Sequence, residues 1–330
     1  MKETLLCCRI TAQEKGLYRL CHDGVEQAAQ VSGKFQYEAL GPSDYPTVGD
    51  EVLADLNGGG QAVIHKVLPR KSLFLRKAAG TAREEQPVAA NVDILFLCMA
   101  LNNDFNLRRL ERYLAAAWNS GATPVVVLTK ADLCGNPSEK VAAVEEAAPG
   151  TDVLLTSAAQ EDGIRPLLPY LTPGRTVAFV GSSGVGKSTL MNGLLGNEIL
   201  ATGGLRNDDR GRHTTTRRQM FFLPGGAALI DTPGMRELGL WDSESGLETA
   251  FADIEALARQ CRFQDCRHEK EPGCAVRAAL ASGELSEERF RSWQRLSAEN
   301  RYADDRAAHM SAKEKKFRMI AQFNKSNSKR

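Results

Sequence analysis

The stretch Gly181-Ser182-Ser183-Gly184-Val185-Gly186-Lys187-Ser188-Thr189 fits the pattern G-x-x-x-x-G-K-[ST], and it limits what this chain can fold into more than any other feature. It follows an apolar run at 177–180 and precedes a helical pattern at 188–195. Glycines let the backbone curl so that successive N–H groups face one phosphate, and the following helix adds its positive N-terminal end. On this reading Lys187 reaches the β- and γ-phosphates and the Ser188 hydroxyl ligates Mg²⁺. The strand-loop-helix setting separates the motif from an ordinary glycine-rich turn. It requires an α/β sheet, and the apolar runs at 92–100, 124–128, 152–156 and 176–180, alternating with helical patterns at 107–118 and 138–148, supply parallel βαβ units.

A nucleoside triphosphatase also needs an acidic group near the metal and a sensor of the γ-phosphate. The apolar run Ala227-Ala228-Leu229-Ile230 ends in Asp231-Thr232-Pro233-Gly234. There the Asp231 carboxylate can hold Mg²⁺ through its shell and the Gly234 amide can meet the γ-phosphate. Between the two motifs lies Arg210-Gly211-Arg212-His213-Thr214-Thr215-Thr216-Arg217. It suits a loop that puts a Thr hydroxyl on Mg²⁺, Thr215 being preferred among the three. Residues 201–213, rich in Gly, Asn, Asp and Arg, suit a segment ordered by its ligand.

Base choice is read from Thr129-Lys130-Ala131-Asp132, which follows the apolar run at 125–128 and resembles the Asn-Lys-x-Asp element of GTPases. In that element the Asp carboxylate accepts hydrogen bonds from guanine N1 and N2, which adenine cannot reproduce, and the Lys stem lies along the base. Thr129 in place of Asn is expected to weaken packing onto the phosphate loop. Thr156-Ser157-Ala158 resembles the second base-side element, where backbone N–H groups approach the guanine oxygen. Both base-side elements precede the phosphate loop here, whereas GTPases normally run the other way. A circularly permuted GTPase closes the same sheet with a different chain break. The permutation sends the Asp231-to-Gly234 switch directly into the C-terminal region. Met235 stands where many GTPases carry a water-orienting Gln, which predicts slow intrinsic hydrolysis. His213 is the candidate to help position water; the alternative is a loop His that meets solvent or RNA.

Cys261-x4-Cys266-x-His268-x5-Cys274 gathers three thiols and an imidazole, a set suited to one tetrahedral structural Zn²⁺ with no position open for catalysis. The surrounding patterns at 247–259, 276–281 and 286–302 are helical. Ahead of residue 75, short β-type segments including 33–40, 50–55 and 61–67, broken by turn residues, suggest a small barrel, OB-like or SH3-like. The expected domains are therefore residues 1–75, a barrel; 76–240, the permuted GTPase; and 241–330, the zinc-binding helical domain with a basic tail.

Lys plus Arg number 42 against 41 Asp plus Glu, yet the last thirty residues hold nine basic side chains against three acidic ones, so a near-zero net charge conceals a basic end. That end fits a solvated helix or an anionic partner. Arg70, Lys71, Arg76, Lys77 and Arg83 near the barrel junction, and Arg206, Arg210, Arg212, Arg217 and Arg218 around the first switch, could track RNA phosphates. The apolar runs fall short of the roughly 20 residues a bilayer requires, and the N-terminal residues lack a signal-peptide core. A cytoplasmic protein without membrane contact is expected.

Taken together, these residues resemble the small-ribosomal-subunit-dependent GTPase A family, RsgA or YjeQ. The likeness is carried by Leu68-Pro69-Arg70-Lys71-Ser72, Arg76-Lys77-Ala78-Ala79-Gly80, Gly211-Arg212-His213-Thr214-Thr215-Thr216, Asp231-Thr232-Pro233-Gly234 with Gly239-Leu240-Trp241, the permuted order and the Cys-His spacing. The resemblance implies a multidomain chain: an N-terminal OB-fold β-barrel, a central circularly permuted α/β P-loop GTPase and a C-terminal helical zinc-binding domain. It implies a monomer that binds GTP and GDP with Mg²⁺, docks on the small ribosomal subunit and its rRNA late in assembly, and hydrolyses GTP when stimulated by it. A nucleotide-dependent RNA-binding scaffold with incidental turnover is the alternative.

Overall fold

Three short alternating strands open the chain: β1 (Leu6–Glu14), β2 (Leu17–His22) and β3 (Val25–Val31). The computed structural model describes residues 5–14, 16–56, 60–77, 85–102, 104–160, 162–196, 200, 218–232 and 244–301. Residues 33–38, read from sequence as β-type, form helix α1 (Gly33–Glu38) instead. The reason is local: Ser32 accepts the Phe35 N–H through its hydroxyl, a helix N-cap, and its own N–H is fixed on Ile64 O. With β4 (Glu51–Asp55) and β5 (Ala62–Val67) the strands close into a ring, β1-β2-β3-β5-β4 and back to β1. The β3–β5 pair is parallel and the other pairs antiparallel. A closed five-stranded ring of this kind, with a helix between the third and fourth strands, is the OB arrangement rather than the SH3-like one. Its interior is filled by Cys8, Ile10, Tyr18, Leu20, Val52 and Ile64 among others, with Phe35 and Tyr45 packed on it edge to face. These two aromatics serve the core, whereas Tyr37 is exposed.

The hairpin of β6 (Leu73–Lys77) and β7 (Glu85–Ala90) leads into the nucleotide sheet. There β8 (Ile94–Ala100) and β11 (Thr176–Gly181) are buried at every residue, which is why their sequences show apolar runs rather than alternation. Helix α2 (Leu107–Ser120) and β9 (Thr123–Thr129) follow β8, then α3 (Pro137–Ala147) and β10 (Val153–Leu155). After β11 come α4 (Lys187–Leu195), β12 (Arg218–Phe222) and β13 (Ala228–Asp231). The strand order is β10-β9-β8-β11-β13-β12, parallel except for β12. The sheet then continues into the barrel, because β1 pairs with β4 through Leu6 to Arg9 and with β12 at Ala12 and Gln13.

The chain divides into two compact units, residues 1–239 and 240–330. In the second, the helical pattern at 247–259 is split into α5 (Glu244–Ala250) and α6 (Ala252–Ala258) at the fully buried Phe251. Helix α7 (Ala275–Ser282) and a helix over 287–301 complete the described part. Among the described residues no helix is long and apolar enough to cross a membrane.

Candidate functional site

The phosphate loop leaves the sheet at Gly181, whose φ is 156°. A Cβ there would lie 2.5 Å from the Cys98 carbonyl oxygen on β8, so only glycine lets the loop depart this close to its neighbour strand. Gly184 is exposed, and Gly186 caps α4 in the left-handed region, putting Lys187, Ser188 and Thr189 in the first helical turn. Lys187 Nζ donates to Gly181 O and Ser182 O, both at 2.8 Å. Burial pushes its pKa down, and the negative charges of Asp231 and Asp104 oppose that shift. Asp231 ends β13 opposite Phe179, and burial pushes its carboxyl up while Lys187 pulls it back. Lys187 and Asp231 are thus two buried titratable side chains at one end of the sheet, each favouring the other's charged form against the effect of burial. Thr232 donates its hydroxyl to Phe179 O and anchors the chain just past β13.

The base-side residues arrive at this same end from β9 and β10. Thr129 is buried and its Oγ1 donates to Val185 O at 2.6 Å, so the expected loosening relative to Asn is replaced by a direct tether to the phosphate loop. Lys130, with φ 58°, lays its stem toward that loop and donates from Nζ to Gly184 O at 2.8 Å. Ala131 N–H bonds to Thr156 O, and Ser157 Oγ donates to Asp132 Oδ1 at 2.5 Å. The two base-side elements are therefore joined to each other. Asp132 and Ala158 are both exposed. His213, Thr214, Thr215, Thr216, Gly234 and Met235 lie outside the described residues, as do Arg83, Arg206, Arg210, Arg212, Arg217 and the tail from 302 onward.

Sequence reasoning missed Asp104. It follows β8 at the end of the sheet that carries the phosphate loop, and its Oδ2 accepts from Ser182 Oγ at 2.6 Å. A polar residue just past a buried strand is the signal that could have found it. Two arginines considered for RNA phosphates have internal work instead. Arg70 makes a bidentate pair with the fully buried Asp50, at 2.7 Å for each contact. Arg218 is buried and donates to Pro87 O and Gln13 Oε1.

In the second unit Cys261, Cys266, His268 and Cys274 present ligand atoms that all lie within 4.8 Å of one another. The Cys261 and Cys274 sulfurs are 3.8 Å apart, and His268 Nδ1 stands 3.6 and 3.4 Å from them. A tetrahedral ion with metal–sulfur and metal–nitrogen bonds of about 2.3 and 2.1 Å has edges of about 3.8 and 3.6 Å, so these residues fit one metal ion. The chain shapes the site by backbone means. His268 takes φ 60°, Cys274 caps α7 by accepting the Arg277 N–H, and Glu271 accepts N–H groups from Arg267, Glu269 and Lys270. Its own backbone N–H, followed by those bonds, holds the Glu271 carboxyl down at about 2. The His268 ring rests near Phe290 and Trp293, whose indole N–H donates to Glu255.

A P-loop sheet whose base-side loops come first in the chain, followed by the phosphate loop and then the acidic strand end, defines a circularly permuted GTPase. The crystal structure of YjeQ from Thermotoga maritima superposes with a TM-score of 0.66 at 27% identity, covering 89% of this chain and 97% of that one. YloQ, described as a circularly permuted GTPase, gives 0.62 at 23% identity over 92% and 96%, a likeness of fold. A model of the RsgA GTPase family matches residues 67–241. The Small ribosomal subunit biogenesis GTPase RsgA 2 of Lactiplantibacillus plantarum is 50% identical over 295 residues, 89% of this chain and 83% of its own. The corresponding GTPase of Methanosarcina acetivorans is 45% identical over 308 residues, 93% and 82%. An ABC transporter model also matches residues 167–329, less than half the chain, a span that includes the phosphate loop common to such nucleotide-binding domains. The chain belongs to the RsgA GTPase family.

Proposed function

We propose that this GTPase binds the small ribosomal subunit during its late maturation, that the subunit stimulates GTP hydrolysis, and that hydrolysis triggers release. The observation that carries the reading is the joined base-side platform, Asp132 on Ser157, Lys130 on Gly184 and Thr129 on Val185, set against the phosphate loop. The names of the relatives supply the particle.

Asp132 reads guanine N1 and N2 through its carboxylate while Lys130 covers the base. Adenine leaves that carboxylate unpaired, which is the source of discrimination. Lys187, aligned by its loop carbonyls, reaches the β- and γ-phosphates. Ser188, Thr215 and Asp231 are the residues that would hold Mg²⁺, directly or through water, and the ion when bound neutralises phosphate charge. Met235 cannot orient water, so the unstimulated rate is slow, and His213 or a group supplied by the subunit positions the nucleophile. Loss of γ-phosphate contacts at Thr215 and Gly234 frees both switches. The Cys-His cluster holds one structural Zn²⁺, since thiolate and imidazole ligands filling four positions suit that ion and leave none for substrate. The protein acts as a cytoplasmic monomer and meets rRNA through its barrel, its metal unit and its basic tail.

The test is steady-state phosphate release from GTP and from ATP, alone and with purified small or large subunits. Slow GTP-only turnover that rises with small subunits alone is expected. Tight subunit binding with unchanged turnover would support a scaffold instead, and equal use of ATP would overturn the role of Lys130 and Asp132.

A further inference from the structure

The phosphate loop is also held from a side that the guanine-nucleotide elements do not account for. Ser182 is 93% buried by its 7% exposure, and its hydroxyl reaches across to Asp104 Oδ2 at 2.6 Å, between residues 78 positions apart in the chain. The other carboxylate oxygen, Asp104 Oδ1, is 2.9 Å from Arg109 Nη2. That same nitrogen donates to the Asp104 carbonyl. Arg109 is in turn fixed on the first turn of α2, where Asn106 Oδ1 accepts its backbone N–H at 3.0 Å. The loop carrying Asp104 is pinned at its start by Leu101 N–H on Thr129 O, and at its bend by the Asp104 N–H on Asn102 Oδ1. Asp104 is therefore an acceptor held by its own hydrogen bonds, not a surface side chain that happens to meet a serine.

What it holds matters because Ser182 has a second role. The Ser182 carbonyl is one of the two oxygens that receive Lys187 Nζ. Fixing Ser182 by its side chain fixes that carbonyl, and with it the path along which Lys187 points. A carboxylate one hydrogen bond from a phosphate loop is also a liability, since a triphosphate brings several negative charges to the same place. The pair is only partly exposed, 28% for Asp104 and 26% for Arg109, so solvent screens that repulsion incompletely.

We infer that Asp104 and Arg109 are positioning residues for nucleotide binding: Asp104 sets the phosphate loop and the aim of Lys187 through Ser182, and Arg109 cancels a carboxylate charge that would otherwise repel the phosphates. This deepens the guanine-nucleotide reading of the site and rests on it. Two kinds of effect are separable. Loss of Arg109 leaves the carboxylate unbalanced, a penalty that grows with ligand charge and disappears when the carboxylate is neutralised. Loss of the Ser182 hydroxyl loosens the loop and weakens GDP and GTP alike.

The full chain is titrated calorimetrically with GDP and with the non-hydrolysable analogue GMPPNP, both with Mg²⁺, as wild type, Arg109→Ala, Asp104→Asn, the double variant and Ser182→Ala, each checked by thermal unfolding. Arg109→Ala should weaken GMPPNP about tenfold and GDP less, the scale of one charge-assisted contact. Asp104→Asn, whose amide oxygen still accepts from Ser182, should lose about threefold or less, because a neutral acceptor gives roughly half the strength of a charged one. The double variant should recover most of what Arg109→Ala loses, a rescue that simple damage to α2 cannot produce. Steady-state kinetics should show the Arg109→Ala defect in KM more than in kcat. A double variant as weak as Arg109→Ala, or a Ser182→Ala protein with wild-type affinity for both ligands, overturns the inference. Should Arg109→Ala not fold, Ser182→Ala decides alone. A wild type that binds neither nucleotide overturns the GTPase reading together with this one.

Discussion

The phosphate loop and the Cys-His cluster are assembled over very different lengths of chain. Around the loop, Thr129 reaches Val185 across 56 residues, Thr232 reaches Phe179 across 53, and Asp104 reaches Ser182 across 78. In the cluster, Cys261 and His268 are seven residues apart, and His268 and Cys274 six. The first site exists only when a whole buried sheet has formed, since each contact joins strands far apart in the chain, at a loop-closure cost about 2 kcal/mol above that of a seven-residue loop. The second closes over fourteen residues at little entropic cost, beside a small core that includes Phe251, Ile254, Val276 and Phe290. The difference predicts that the nucleotide site keeps its shape without its ligand, whereas a metal held by the cluster would be coupled to the folding of its unit.

Removing the metal should therefore have the largest effect. Apparent binding energies of about 10–16 kcal/mol for structural zinc match or exceed the stability of a whole domain. A chelator, or Cys274→Ser, should abolish hydrogen-exchange protection over 244–301 while leaving β8, β11 and GDP binding intact. Simultaneous loss of protection in both units would show that the nucleotide sheet depends on the cluster as well. Next comes Lys187→Ala, which should cut GTP turnover by about a hundredfold or more, the scale of losing one charge-stabilising donor, with little change in unfolding temperature. Asp132→Ala should follow: GTP affinity should drop about a hundredfold or more because the guanine N–H groups go unanswered, and preference over ATP should collapse. A competition titration of GTP against ATP reads this directly.

The same difference in span explains what could be read from the sequence. Motif residues on a continuous stretch, Gly181 to Thr189, Thr129 to Asp132 and Cys261 to Cys274, were legible because the local chain itself defines the chemistry. The buried strands β8, β9 and β11 were legible as apolar runs. Residues 33–38 were not, because a Ser32 cap outweighed the aromatic β-type pattern of Phe35 and Tyr37. Asp104 was not, because its meaning lies in a serine 78 residues away. Arg70 and Arg218 looked like free basic charge until Asp50, Pro87 and Gln13 were seen to occupy them. Composition counts charges, and only the fold says which are already paired.

A smaller effect is expected from a clamp in the second unit that is independent of the cysteines. Arg289 Nε and Nη2 each lie 2.7 Å from the Asp253 carboxylate, Nη2 also reaches Ala250 O at 3.1 Å, and the guanidinium sits 4.8 Å above the Phe251 ring. Burial raises the Asp253 carboxyl, but the hydrogen bonds and charge of Arg289 win and hold its folded pKa below the ordinary 3.8. A carboxyl depressed on folding stabilises the folded state above its unfolded pKa of about 3.9 and loses that contribution as pH falls through the lower folded value. The Asp253 side chain is 37% exposed, so screening limits the contribution to about 1 kcal/mol. Asp253→Asn should then be less stable than wild type by that amount, constant from pH 7 to about 5, with the gap closing below about pH 4. Metal is kept saturating, and the gap is read only where both proteins still show exchange protection over 244–301, so that two folded proteins are compared. A gap that stays open well below pH 4 would mean that the clamp acts through packing on Phe251 rather than through charge.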